Sequence, residues 1–255
     1  MSRIPERRRH TVIAGTGRSG TSFLVRFFDA CGLDCGLEHT GWSERARAGL
    51  EHALDSREPL PYVVKDPWLF AYCESVDLAP LTIDALIVPI RDLMAAAQSR
   101  IHQERLTLVE SPLAGRGPLD VAAFTPGGVV HSLSVVDQAR ILAVGFHRLM
   151  RWATVNELPV YTLDFPRLVD DSQYTLERLW PWLGEHCAIE RAREAFAKVA
   201  EPRAVRIRTD GAEIESTIPE EVELGPAALD RAALLERIAE LEAELLGQIG
   251  ESYPL

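Results

Sequence analysis

The chain has 255 residues, 47% of them apolar and 25% charged, with a formal net charge of −11. That length and apolar content suit one α/β domain with an ordinary core and exclude a disordered chain. The acidic balance argues against a nucleic-acid partner, whose phosphates need a broad basic surface, and no apolar run reaches the roughly 18 residues of a membrane span.

The first ten residues are basic, but the apolar segment after them is short and runs into glycines, which reads as a strand and not as a signal peptide. Residues 11–14 form that strand, and a glycine-bearing turn follows from Gly15 to Gly20. Residues 21–31 are expected to be helical, with Phe23, Leu24, Phe27 and Phe28 on one face and Gly32 as the stop. Residues 33–60 look irregular apart from a helix expected over 43–54. A second strand over 62–64 is closed by Pro67, and a helix is expected over 68–76. A third strand (85–90) leads into a third helix (92–105). Residues 106–131 are rich in Gly and Pro and read as a loop long enough to be a lid or a substrate loop. A long helix (133–156), a fourth strand (160–163) and a helix over 168–183 complete the alternation. Strands alternating with helices predict a three-layer, P-loop-like α/β fold: a parallel sheet flanked by helices.

The main domain is expected over 1–210, with a C-terminal helical extension over 211–255. In that extension Leu234, Ile238, Leu241 and Leu245 recur at heptad-like spacing. This pattern fits a helix packed on the body or one that makes a homodimer. The four cysteines form no CxxC pair and show no zinc spacing, so packed, reduced thiols and a cytoplasmic location are expected, with no metal.

Ligands on such sheets bind at the carboxyl ends of the strands, and the sequence places its unusual residues there. The run Gly15–Thr16–Gly17–Arg18–Ser19–Gly20–Thr21–Ser22 joins the first strand to the first helix. Successive N–H groups in such a turn cradle an anion, and the helix N-terminus adds positive potential. Gly15 and Gly20 have the spacing of a nucleotide P-loop, but Thr21 stands where an NTPase requires Lys. A cation appears earlier, as Arg18, and Thr21 and Ser22 offer hydroxyls. After the third strand comes Arg91, with Ser99 about two turns along the next helix, so both can reach one phosphate, Arg as a bidentate fork. Of the 27 basic residues only Lys65 and Lys198 are lysines. Lys65 closes the second strand, where a compact ammonium would face the phosphate loop. Its neighbour Asp66 either orients Lys65 or caps the following helix.

The motif Arg18–Ser19–Gly20–Thr21–Ser22–Phe23–Leu24 resembles the 5′-phosphosulfate loop of PAPS-dependent sulfotransferases, particularly the carbohydrate and bacterial branch. The Arg91…Ser99 spacing resembles that family's 3′-phosphate motif. The stretch from Tyr161 through Asp164 to Gly184 resembles its late strand, turn and helix. The likeness spans roughly residues 10–184. It implies that Gly17, Arg18, Ser19, Gly20, Thr21 and Ser22 hold the 5′-phosphate of PAPS, that Arg91 and Ser99 hold its 3′-phosphate, and that PAP (the 3′,5′-bisphosphate) is the product. The sulfuryl acceptor would be a hydroxyl or amine of a small molecule, sugar or glycolipid. The likeness also implies a base after the first helix, Glu38 or the adjacent His39, with Lys65 near the transferred group. Arg100 could widen the basic pocket, and Arg203, Arg206 and Arg208 could close over the nucleotide. Two other readings share the loop: a P-loop kinase or NTPase, and a non-catalytic nucleotide-binding module.

Overall fold

The computed structural model describes residues 8–15, 17–39, 42–43, 48–110 and 134–200. The expectations placed on 111–133, on Arg203, Arg206 and Arg208, and on the C-terminal extension lie outside the described residues. So does the boundary at residue 210.

The first strand, β1 (Arg8–Ile13), runs through His10–Ile13 without an exposed position. That is the pattern of a strand covered on both faces. Helix α1 (Thr21–Cys31) follows the glycine turn and stops at Gly32, whose left-handed backbone returns its N–H to Asp29 and Phe28. A short 3₁₀ turn spans Leu37–His39.

The helix expected over 43–54 does not form. Instead β2 (Trp42–Ser43) pairs antiparallel with β3 (Ala48–Gly49), and the chain then runs irregularly along the next strand, β4 (Val63–Lys65). The backbone donors that a helix would use are taken by tertiary partners. His52 N–H bonds the Lys65 carbonyl at 2.9 Å, and Leu54 N–H bonds the Asp66 carboxylate at 2.9 Å. Gly49 and Leu50 both have left-handed φ, 124° and 60°, which breaks any helical run.

After β4, α2 (Leu69–Tyr72) tightens into a 3₁₀ turn, Cys73–Ser75. The central strand β5 (Leu81–Arg91) is longer than its apolar run suggests. Helix α3 (Leu93–Glu110) begins with Asp92 Oδ1 accepting the N–H of Ala95 at 2.8 Å. It carries residues 106–110, which the composition assigned to a loop, because no breaker precedes Pro112. Helix α4 (Val135–Val155) is capped by Ser134 and leads to β6 (Val160–Phe165).

The single helix expected over 168–183 divides into α5 (Arg167–Asp170) and α6 (Ser172–Leu183). Asp171 is extended between them and caps α6 by accepting the N–H of Tyr174 at 2.9 Å. Helix α7 (Ile189–Val199) was not anticipated; its buried stripe is only Ala192, Ala195 and Phe196 among charged residues. Phe196 meets Phe23 and Phe27 of α1 edge-on, at 5.5 and 6.0 Å.

The sheet has the order β4-β1-β5-β6, all pairs parallel. Alternation sorts its side chains. Ile13, Val63, Ala85, Ile87 and Leu163 pack with α1, α6 and α7, while Val12, Val64, Leu86 and Val88 pack with α2 and α4. The fold is therefore α/β, a parallel sheet with helices on both faces. Cys31, Cys35 and Cys73 are buried, and all four cysteines are free. Among the described residues no helix is long and apolar enough to cross a membrane.

The chain passes from β1 to β4 on one side and later to β5 on the other. The carboxyl end of β1 is thus the point where strand order reverses, the place where open parallel sheets leave a crevice.

Candidate active site

Four strand ends meet on that side of the sheet. Ile13 stands beside Lys65 on β4 and beside Ile87 on β5, and Arg91 stands beside Phe165 on β6. The loop after β1 turns by left-handed backbone at Gly17, Arg18 and Gly20, with φ of 67°, 56° and 88°. Left-handed φ at a non-glycine such as Arg18 is uncommon and collects at functional turns. Gly20 precedes α1, and a Cβ there would lie 2.9 Å from the Phe165 ring, so β6 seats the loop directly. Ser19 is 0% exposed, and its Oγ has no hydrogen-bond partner among the described residues. A buried hydroxyl left without a partner is costly and marks a place where a polar ligand would be stabilised.

The two residues paired by spacing both reach this loop. Arg91 Nη1 donates to the carbonyl oxygen of Arg18 at 2.8 Å, and Arg18 Nε donates to Ser99 Oγ at 3.3 Å. The Arg91 guanidinium also covers the Phe165 ring at 5.0 Å. Arg100, 1% exposed, lies over the Trp68 ring at 5.4 Å. Its Nη2 is 3.2 Å from where a Cβ on Gly17 would stand, so glycine gives the guanidinium room against the loop. Burial pulls both Arg91 and Arg100 down to about 10; Asp92 opposes the shift in Arg91, and Glu51 opposes it in Arg100. Desolvated cations at one crevice favour an incoming anion, which would offset the cost of burying them.

Lys65 is 2% exposed. Its ammonium donates to Ser22 Oγ at 2.9 Å, to the Gly49 carbonyl at 2.6 Å and to Glu51 Oε1 at 3.3 Å. Burial lowers its pKa, and Glu51 partly restores it. Thr21 opens α1 and is buried, and Ser22 is half-buried in the same turn. The structure thus gathers Gly17, Arg18, Ser19, Gly20, Thr21, Ser22, Lys65, Arg91 and Ser99 around one loop.

Glu38 is exposed on its 3₁₀ turn and makes no hydrogen bond or ion pair among the described residues. The side chain of His39 lies outside the described residues. The carboxylate at Lys65 is Glu51, which the sequence reading passed over inside its expected helix. Asp66 serves the backbone. Its carboxylate accepts the N–H groups of Leu54 (2.9 Å) and Trp68 (3.1 Å) and the Tyr72 hydroxyl, tying the segment after β3 to β4.

No protein-family model and no curated protein matches the chain. Among solved structures, a sulfotransferase domain from the curacin biosynthetic pathway is similar at 12% identity, over 91% of this chain and 98% of its own, with a TM-score of 0.37. At that identity and score the likeness assigns no activity, and the functional reading rests on the crevice itself.

Proposed function

We propose that the protein is a PAPS-dependent sulfotransferase, moving a sulfuryl group to a hydroxyl or amine of a small-molecule, sugar or glycolipid acceptor. The observation that carries this reading is the convergence on one glycine loop of two groups far along the chain, Arg91 by a 2.8 Å bond and Ser99 by a 3.3 Å bond to Arg18. A donor with one phosphate at the loop and another at Arg91 and Ser99 would use both. Such a donor also suits a loop that offers Arg18 in place of the P-loop lysine, because Arg binds phosphate as a fork.

The residues present fit that donor. The N-terminus of α1 and Ser19 Oγ would receive the 5′-phosphate, and Arg91 with Ser99 the 3′-phosphate. Lys65, at Ser22, would face the charge that builds on the transferred group and the leaving oxygen. The bound donor supplies an activated sulfuryl group; orienting it and the acceptor is left to the protein.

Thermal stability with nucleotides tests the reading. Stabilisation by the 3′,5′-bisphosphate without Mg²⁺, together with transfer of labelled sulfate to an acceptor panel, is the expected result. Stabilisation only by ATP with Mg²⁺ would replace it with a kinase or NTPase.

A further inference from the structure

The ammonium of Lys65 has three N–H donors and no acceptor, and the three bonds at Ser22, Gly49 and Glu51 use all of them. To offer a donor to an anion in the loop, Lys65 must release one partner. The Gly49 carbonyl bond is the shortest at 2.6 Å and buried, and Ser22 belongs to the helix turn that frames the loop. Glu51 is held at 3.3 Å, and its side chain is 24% exposed against 2% for Lys65. Of the two partners that are not fully buried, Ser22 and Glu51, the latter is held by the longer bond and is free of the helix turn that frames the loop.

Resting on the sulfotransferase reading, we propose that donor binding takes Lys65 from Glu51, and that the released carboxylate accepts the proton of the acceptor. Among the described residues, the charged groups that face Glu51 are Lys65 from β4 and Arg100 from α3, with Arg18 of the loop acting on Lys65. An anion that engages these cations competes with Glu51 for them and frees its carboxylate. In the transfer, the acceptor O–H bond breaks with its proton passing to Glu51 Oε. The acceptor oxygen bonds to sulfur, and the bond from sulfur to the bridging oxygen breaks with its electron pair on the leaving bisphosphate. The proton then leaves through the exposed side of Glu51.

Glu51→Gln keeps a hydrogen-bond acceptor for Lys65, so the fold is retained, and it separates the outcomes. Calorimetry with the 3′,5′-bisphosphate should show tighter binding by Glu51→Gln than by the wild type near neutral pH. Transfer to an aliphatic alcohol should fall about 100-fold or more, the scale of a lost general base. Transfer to 4-nitrophenol, whose hydroxyl ionises near neutral pH and so needs less help from a base, should fall far less. Equal affinity in the two proteins would overturn the exchange. Equal losses with both acceptors, or loss on Glu38→Gln in place of Glu51→Gln, would overturn the proton role. A wild type that binds no bisphosphate would instead overturn the sulfotransferase reading beneath it.

Discussion

Arg91 donates to the carbonyl oxygen of Arg18 across 73 residues of sequence, at 2.8 Å. The bond joins the end of the central strand to a left-handed residue of the glycine loop. The guanidinium shapes the loop with one nitrogen and lies over the Phe165 ring at 5.0 Å, and on the proposed sulfotransferase reading it also takes the 3′-phosphate.

This double role sets the outcome of Arg91→Ala. Loss of charge-assisted bonds should weaken binding of the 3′,5′-bisphosphate by about 1.5–3 kcal/mol. A 5′-monophosphate, which does not call on the fork, should lose much less. Arg91→Lys should keep part of the charge but not the bidentate geometry, and fall between. Titration calorimetry with the two nucleotides checks this; parallel weakening of both would show that Arg91 acts only by holding Arg18.

Ser19 separates a ligand role from a structural one by sign. Its buried Oγ has no partner among the described residues, so Ser19→Ala removes an unmet polar atom from the unliganded protein. The variant should be as stable as the wild type or more stable by up to about 1 kcal/mol, while its anion affinity falls by about 1 kcal/mol. Urea denaturation without ligand and calorimetry with the bisphosphate give the two numbers. A loss of stability in the unliganded protein would mean that Ser19 serves the fold.

Most of the sheet and the glycine loop were legible because their signals are local. A strand buried on both faces is an apolar run, and the glycines at 15, 17 and 20 announce a turn whatever surrounds them. Ser99 could be matched to Arg91 because helix geometry fixes where a residue two turns on must lie. Glu51 was hidden for the opposite reason. Residues 43–54 have helix-compatible composition, and only the pull of Lys65 and Asp66 on the backbone around Gly49, His52 and Leu54 draws them out of a helix. That is tertiary override of propensity, and it brings Glu51, inside a segment expected to be helical, to Lys65. Helix α7 was missed because three buried residues among charges give too narrow a stripe to separate from a solvated segment.

Gly20 tests how rigidly the loop is seated. Its φ is 88°, and an added Cβ would meet the Phe165 ring at 2.9 Å and Leu168 Cδ2 at 3.2 Å. Gly20→Ala should cost about 1–2 kcal/mol for the left-handed backbone alone, with the clash adding to it. For a chain of this size that is a fall of several degrees in Tm. Bisphosphate should then stabilise the variant less than the wild type, since the first turn of α1 shifts with Gly20. Calorimetric melting with and without ligand checks both effects. An unchanged Tm would mean that Phe165 yields freely.

Asp66 carries the pH prediction. Burial raises its pKa above the ordinary aspartate value of 3.8, against the lowering effect of the Tyr72 hydroxyl and the N–H groups of Leu54 and Trp68. A raised carboxyl binds its proton more tightly in the folded than in the unfolded state. Between 3.8 and the raised folded value the native state holds more protons, so this group's contribution to stability falls as pH rises through that window. Above the window the cost of the buried charge is fully present, and below 3.8 it vanishes. Asp66→Asn keeps an oxygen acceptor for one of the two N–H groups, which bond different carboxylate oxygens, and removes the titration; the lost bond lowers stability by an amount that does not depend on pH. The stability of the variant relative to the wild type should therefore increase as pH rises through the window and level off above it. Urea denaturation of both proteins at a series of pH values measures that difference. A difference independent of pH would mean that Asp66 ionises as freely in the fold as in the unfolded chain, with its three donors cancelling the effect of burial.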